Sequence, residues 1–332
     1  MHSPILRILF ATAIVLAIAV SSVFSQSIPP NPELAPAIQL LRDGENKKAL
    51  QALKKAVKQN DADGEAWYYM GVVYLQLNDF KKGSDAFKKA IERRPDLAAQ
   101  AHAGYAYALV LRNKLDQAMF SANKALNIDP NNIEALYTLG IVDLRRGARQ
   151  EAIDKADKLI ALKPDFGAAY LLKSQAFVSS RSNLFPTSKS KEEQQSTYRS
   201  AADALEKYLQ LETDPRVVES WKEQLETLRF YAGDRGDIYL GSEVTTKPRL
   251  ISKPEPTYTE LARNQQVVGT VVLKCVFASD GKVRNILVVQ ALPGGLTERS
   301  IAAAKMIQFV PATLNGQPVS MWMQLEYNFN LY

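Results

Sequence analysis

Residues that carry chemistry are scarce in this chain of 332 residues: there is one cysteine, Cys275, and there are two histidines, His2 and His102. A lone cysteine excludes an intramolecular disulfide. Two distant histidines with no cysteine or carboxylate cluster leave no metal-ligand spacing, so no metal is expected. No Gly-x-Ser-x-Gly elbow or glycine-rich phosphate loop is present, and Pro293-Gly294-Gly295 reads as a turn before a helix. The net charge is +6, but no basic stripe interleaved with aromatics stands out, which argues against nucleic acid as a partner. Acidic residues lie among lysines on helical faces, the usual solvated pattern. Neither a catalytic residue nor a cofactor is expected, and the chain does not read as an enzyme. Long apolar runs are missing except at the N-terminus, where Arg7 precedes Ile8 to Val20 and then Val23-Phe24-Ser25. That stretch reads as a signal peptide over 1–25, with an uncleaved N-terminal anchor as the alternative. Either way the bulk of the protein is expected outside the cytoplasm.

What the chain has is an internal period. Pro95, Pro130 and Pro164 are 35 and 34 residues apart. Twelve residues before each stand Gly83, Ala118 and Ala152, and five before each Ala90, Ala125 and Leu159. Gly71, Ala106 and Gly140 share a position in the first helix of each unit. Small residues let two antiparallel helices cross closely, large ones such as Trp67, Tyr74 and Phe87 fill the space between pairs, and proline ends the second helix. One such pair cannot bury its apolar face alone, so the pairs must stack.

Trp67-x-x-Met70-Gly71-x-x-Tyr74 resembles the tetratricopeptide repeat signature. Repeats are expected at 64–97, 99–132 and 133–166, a degenerate one near 30–63, and a fifth from Gly167 interrupted by a polar insert over 179–193. A further helix from Pro215 to Phe230 is expected as a solvent-facing cap, giving a solenoid over 31–230. Residues 231–253, with Gly233, Gly236, Gly241 and Pro248, read as a linker. The resemblance implies a concave groove lined by Tyr68, Val72, His102, Tyr107, Tyr137 and Ile141, with Leu171 and Gln175 further along. An apolar or aromatic peptide fits that lining. Packing between repeats is the competing role for the tyrosines, and a packing role the simplest one for His102.

The last eighty residues change period. Val271 to Phe277 and Val283 to Gln290 flank Asp280-Gly281, a strong hairpin signal. Leu296, Ile301, Ala304 and Ile307 follow at roughly helical spacing. Val319, Met321, Met323, Leu325, Tyr327, Phe329 and Leu331 then alternate with Ser320, Trp322, Gln324, Glu326, Asn328 and Asn330, the period of a half-buried strand. Cys275 shares its face with Leu273 and Phe277, which makes it a buried, inert thiol.

This order of helix, strand, strand, helix, strand resembles the TonB C-terminal domain. Tyr258 with Leu261-Ala262-Arg263, Gly269 with Asp280-Gly281-x-Val283, Phe309-x-Pro311-Ala312 and Gly316-x-Pro318-Val319 carry the likeness. Thr259 stands where that family has proline, and Ile307 where it has tryptophan. The fold expected is therefore an α-solenoid followed by a small α+β domain with an antiparallel sheet, over 254–332. The resemblance implies a periplasmic or cell-envelope protein whose closing strand pairs, along Trp322, Gln324, Leu325, Glu326 and Tyr327, with an extended segment of an outer-membrane receptor. A transducer of that kind would stay anchored in the inner membrane. A periplasmic scaffold without energy transduction is the alternative, and a free edge also leaves a homodimer open.

Overall fold

The computed structural model describes residues 31–179, 191–233 and 238–331. The expected signal peptide and most of the insert lie outside them. No described helix is long and apolar enough to cross a membrane. Contacts divide the chain into two compact units: residues 31–146 with 154–164, and residues 147–153 with 165–331.

The first unit is made of helix pairs: α1 (Ala35–Arg42) with α2 (Asn46–Gln59), α3 (Gly64–Gln76) with α4 (Phe80–Arg93), α5 (Ala98–Leu111) with α6 (Leu115–Ile128), and α7 (Ile133–Arg146) with most of α8 (Arg149–Leu162). Each pair occupies one of the repeats read from the sequence. Asp63 Oδ1 caps α3 by accepting from the N–H groups of Glu65 and Ala66 at 3.1 and 3.0 Å, and Asn132 Oδ1 accepts from Ala135 at 2.9 Å. The turns inside the pairs hold Gly44, Asn78, Asn113 and Gly147 at φ of 75°, 58°, 56° and 78°. These residue types tolerate the left-handed conformation, and they recur at the repeat spacing even in the degenerate first pair. Phe87 is fully buried in this unit. A β-carbon on Gly71 would stand 2.8 Å from its ring and one on Gly104 2.5 Å, so both positions must be bare for α3 and α5 to close on it.

The second unit begins with α9 (Gly167–Val178), α10 (Lys191–Leu211) and α11 (Pro215–Ala232). A sheet follows in the order β1-β7-β3-β4, with β6 beside the start of β7 and a separate β2–β5 ribbon. Its strands are β1 (Ile238–Tyr239), β2 (Arg249–Ser252), β3 (Gly269–Phe277), β4 (Val283–Gln290), β5 (Gln308–Val310), β6 (Ala312–Leu314) and β7 (Gln317–Phe329). Helices α12 (Glu260–Asn264) and α13 (Leu296–Lys305) accompany them. The β3–β7 ladder runs unbroken and antiparallel from Gly269↔Phe329 to Phe277↔Met321. Leu273, Cys275, Phe277, Leu325, Tyr327 and Phe329 share one face, and they pack with Ala262, Leu296, Ala304, Ile307 and Phe309 into a single core. Burial pushes the Cys275 thiol well up, so it stays protonated.

Two expectations need correction. Residues 231–253 are not a plain linker: Ile238–Tyr239 pairs in parallel with Ser320–Met321, and Arg249–Ser252 pairs antiparallel with 308–310. Short β-prone runs, Ile238-Tyr239 after Gly236 and Leu250-Ile251 after Pro248, were enough to join existing strands. Nor does α11 end a solenoid against solvent. Its Tyr231 is fully buried, with its ring 5.0 Å from that of Trp322 on β7.

Candidate protein-docking edge

β7 has a partner on each side, but only over part of its length. On one side β3 pairs with it from Met321 to Phe329. On the other, β1 pairs with Ser320 and Met321, and β6 pairs with Gln317 to Val319 at the start of the strand. From Met323 to Phe329 no described strand takes the outer backbone groups. The carbonyl of Glu326 instead accepts from Lys253 Nζ at 3.2 Å. Successive residues of a strand point their N–H and C=O groups to opposite sides, so this contact puts the groups of Trp322, Gln324, Glu326 and Asn328 outward and those of Met323, Leu325 and Tyr327 toward β3.

The motif residues near this edge are structural supports. Tyr258 donates to the carbonyl of Val267 at 2.6 Å and meets the Phe329 ring edge-on at 5.4 Å. Thr259, where the family has proline, caps α12 by accepting from Ala262 at 3.0 Å and donates to the carbonyl of Gly294. Leu261 is half-buried and Ala262 fully buried. Gly269 opens β3, and Gly281 takes φ 79° in the β3–β4 turn. Phe309 lies 4.1 Å from Phe277 between ring centroids, Pro311 separates β5 from β6, and Ala312 is fully buried. Asn315 and Gly316, at φ 51° and 83°, form the two-residue turn that launches β7. Asn-Gly is the preferred pair for such a turn, so this turn is legible in the sequence.

The other face of the sheet was expected to be polar apart from Trp322. It is covered at Trp322 and at Lys274 of β3, while Glu326, Asn328 and Asn330 are exposed. Trp322 and Lys274 are buried beneath Tyr198 of α10 and Tyr231 of α11. Lys274 Nζ donates to Tyr198 Oη at 3.0 Å and lies 5.3, 5.1 and 5.2 Å from the ring centroids of Tyr198, Tyr231 and Trp322. An ammonium shielded from water by three rings gains about 2 kcal/mol from cation–π attraction. At β4, Asn285 takes φ 48° where the ladder register shifts, and its carbonyl accepts from Tyr231 Oη at 3.0 Å. Gln224 donates to the next carbonyl, Ile286, at 2.9 Å.

The helical groove differs from expectation. Tyr68, Val72, Tyr107 and Tyr137 are buried rather than part-exposed, and Ile141 is half-buried. Tyr68 meets Phe87 edge-on at 5.6 Å, and the Tyr107 and Tyr137 rings are 6.4 Å apart. Burial pushes the Tyr137 hydroxyl up to about 12. Leu171 is buried and Gln175 half-buried on α9. His102 is not brought to these tyrosines; it is one residue before the repeat position assigned to it. Its Nδ1 is 3.2 Å from Ser121 Oγ, in an open cavity of about 510 Å³ with Lys88, Tyr105, Phe120 and Lys124. Among the described residues, no group of three or more histidine, cysteine or acidic side chains is placed to hold a metal ion.

The family description "Gram-negative bacterial TonB protein C-terminal" matches residues 254–331, and "Cytochrome c-type biogenesis protein H TPR domain" matches residues 36–165. The BBSome complex member BBS4 of Bos taurus is 30% identical over 122 residues, 36% of this chain and 23% of that protein. The formate-dependent nitrite reductase complex subunit NrfG of Escherichia coli O157:H7 is 29% identical over 115 residues, 34% of this chain and 58% of that one. The chain thus spans less than two thirds of either relative. The solved structure of PilW, a widely conserved type IV pilus biogenesis factor, is 19% identical and covers 61% of this chain and 91% of its own, with a TM-score of 0.45. On the repeats, the sheet topology and the two family descriptions, the chain carries a tetratricopeptide-repeat domain and, at its C-terminus, a TonB C-terminal domain.

Proposed function

We propose that this is an exported protein of the cell envelope that docks an extended segment of another protein, such as an outer-membrane transporter, on the outer edge of β7. The two domain types support a protein-interaction role. The observation that carries the finer reading is the stretch from Met323 to Phe329, which has a strand on one side only among the described residues. Unpaired N–H and C=O groups in a row are a template for strand addition. The repeats supply a second surface for a peptide or protein, and no step of this reading requires catalysis.

A scaffold without energy transduction is the second reading, favoured by a specific observation. The sheet lies directly on α10 and α11 through Lys274, Trp322 and Tyr231, so it is not carried on a free tether.

Two proline variants of the full chain test the docking edge. Gln324→Pro removes an outward N–H and leaves the fold within about 1 kcal/mol of the parent, yet abolishes binding of an extended peptide. Leu325→Pro removes a bond to β3 and a buried side chain, and costs about 3–5 kcal/mol. A folded Gln324→Pro protein that binds the peptide as tightly as the parent would overturn the reading.

A further inference from the structure

Resting on that reading, we propose that Lys253 is a removable cap on the docking edge, which an incoming strand must displace. Lys253 follows β2 directly, and Ser252 is held in register with Gln308 of β5, so its backbone is anchored while its side chain reaches across. The ammonium donates to the Glu326 carbonyl at 3.2 Å and lies 4.7 Å from the centroid of the Tyr327 ring. Glu326 sits midway along the stretch that lacks a strand partner, at the carbonyl to which an added strand would present its N–H. The same acceptor thus serves the chain's own lysine at rest and the partner backbone when bound. A charged lysine at a sheet edge also discourages pairing with a second copy of the chain, because that pairing would strip the ammonium of its water. The side chain is 31% exposed, so water can take the ammonium when it lets go. Next to it, β1 occupies Ser320 and Met321 and sets where an added strand must stop.

The probe is a fluorescein-labelled octapeptide of alternating threonine and valine, titrated into the full chain by fluorescence anisotropy. Lys253→Met keeps the aliphatic stem but loses the donor, and is expected to bind the probe about five-fold more tightly. Lys253→Arg keeps a donor and is expected to stay within about two-fold of the parent. In the free parent, labelled at the lysine side chains, the Lys253 ammonium is expected to show a nuclear magnetic resonance coupling to the Glu326 carbonyl that disappears as probe is added. If the probe binds parent and Lys253→Met equally, or binds the variant more weakly, the cap is wrong while edge docking stands. If the coupling is absent in the free protein, the cap is wrong whatever the probe does. If the coupling is present and the probe binds neither protein, edge docking fails and the cap's role fails with it.

Discussion

The sheet of the second unit ends on β4 at one side and, beyond Met321, on β7 at the other, and the two edges are finished differently. At β4 the register shifts around Asn285, and two consecutive carbonyls are taken by side chains of α11, Tyr231 and Gln224. Tyr231 is fully buried and stacks with Tyr198 and Trp322, so this closure belongs to the packed interior. At β7 the outer groups meet one lysine side chain, itself part-exposed. At these two carbonyls the first edge is held by structure that must unfold to release them. The second is covered by a group that needs only to change rotamer.

That contrast can be broken most strongly at Tyr231. Tyr231→Ala removes a ring in contact with three aromatic neighbours and is expected to cost about 3–5 kcal/mol in chemical unfolding of the full chain. Tyr231→Phe keeps the ring and strands the Asn285 carbonyl, for a loss of about 1–3 kcal/mol. Gln224→Ala at the neighbouring carbonyl, where water can enter, is expected to cost about 1 kcal/mol. Lys253→Met at the other edge is expected to shift stability by less than about 0.5 kcal/mol, since an exposed polar contact contributes little. A large loss from Lys253→Met, or none from Tyr231→Ala, would erase the distinction between the edges.

The parts legible in the sequence were those with a period. Gly71, Gly83 and Ala90, with Pro95 after them, announced the helix pairs, because close crossing allows few residue types there. The alternation from Val319 to Leu331 announced β7 for the same kind of reason. The turn positions Gly44, Asn78, Asn113 and Gly147 carried the same period and would have confirmed the first, degenerate pair. Contacts between segments distant in sequence left no such mark. Lys274 looks like an ordinary polar residue within β3, and only the placement of Tyr198 and Tyr231 above it explains its burial. Ile238–Tyr239 is too short to signal a strand by itself, and it becomes one because β7 offers outward backbone groups beside it around Ser320. The tyrosines of the groove show the opposite error: repeat position predicts which way a residue faces, but not how much of it neighbouring rings will cover.

The central claim is that the backbone groups of Gln324, Glu326 and Asn328 form a docking edge. Amide hydrogen exchange on the full chain, resolved by residue, with and without the threonine–valine octapeptide, tests it most directly. The account predicts that bound peptide slows exchange at Gln324, Glu326 and Asn328, and leaves the amides of Met323, Leu325 and Tyr327, already paired with β3, unchanged. Peptide that binds while those three outward amides exchange as fast as before would contradict it.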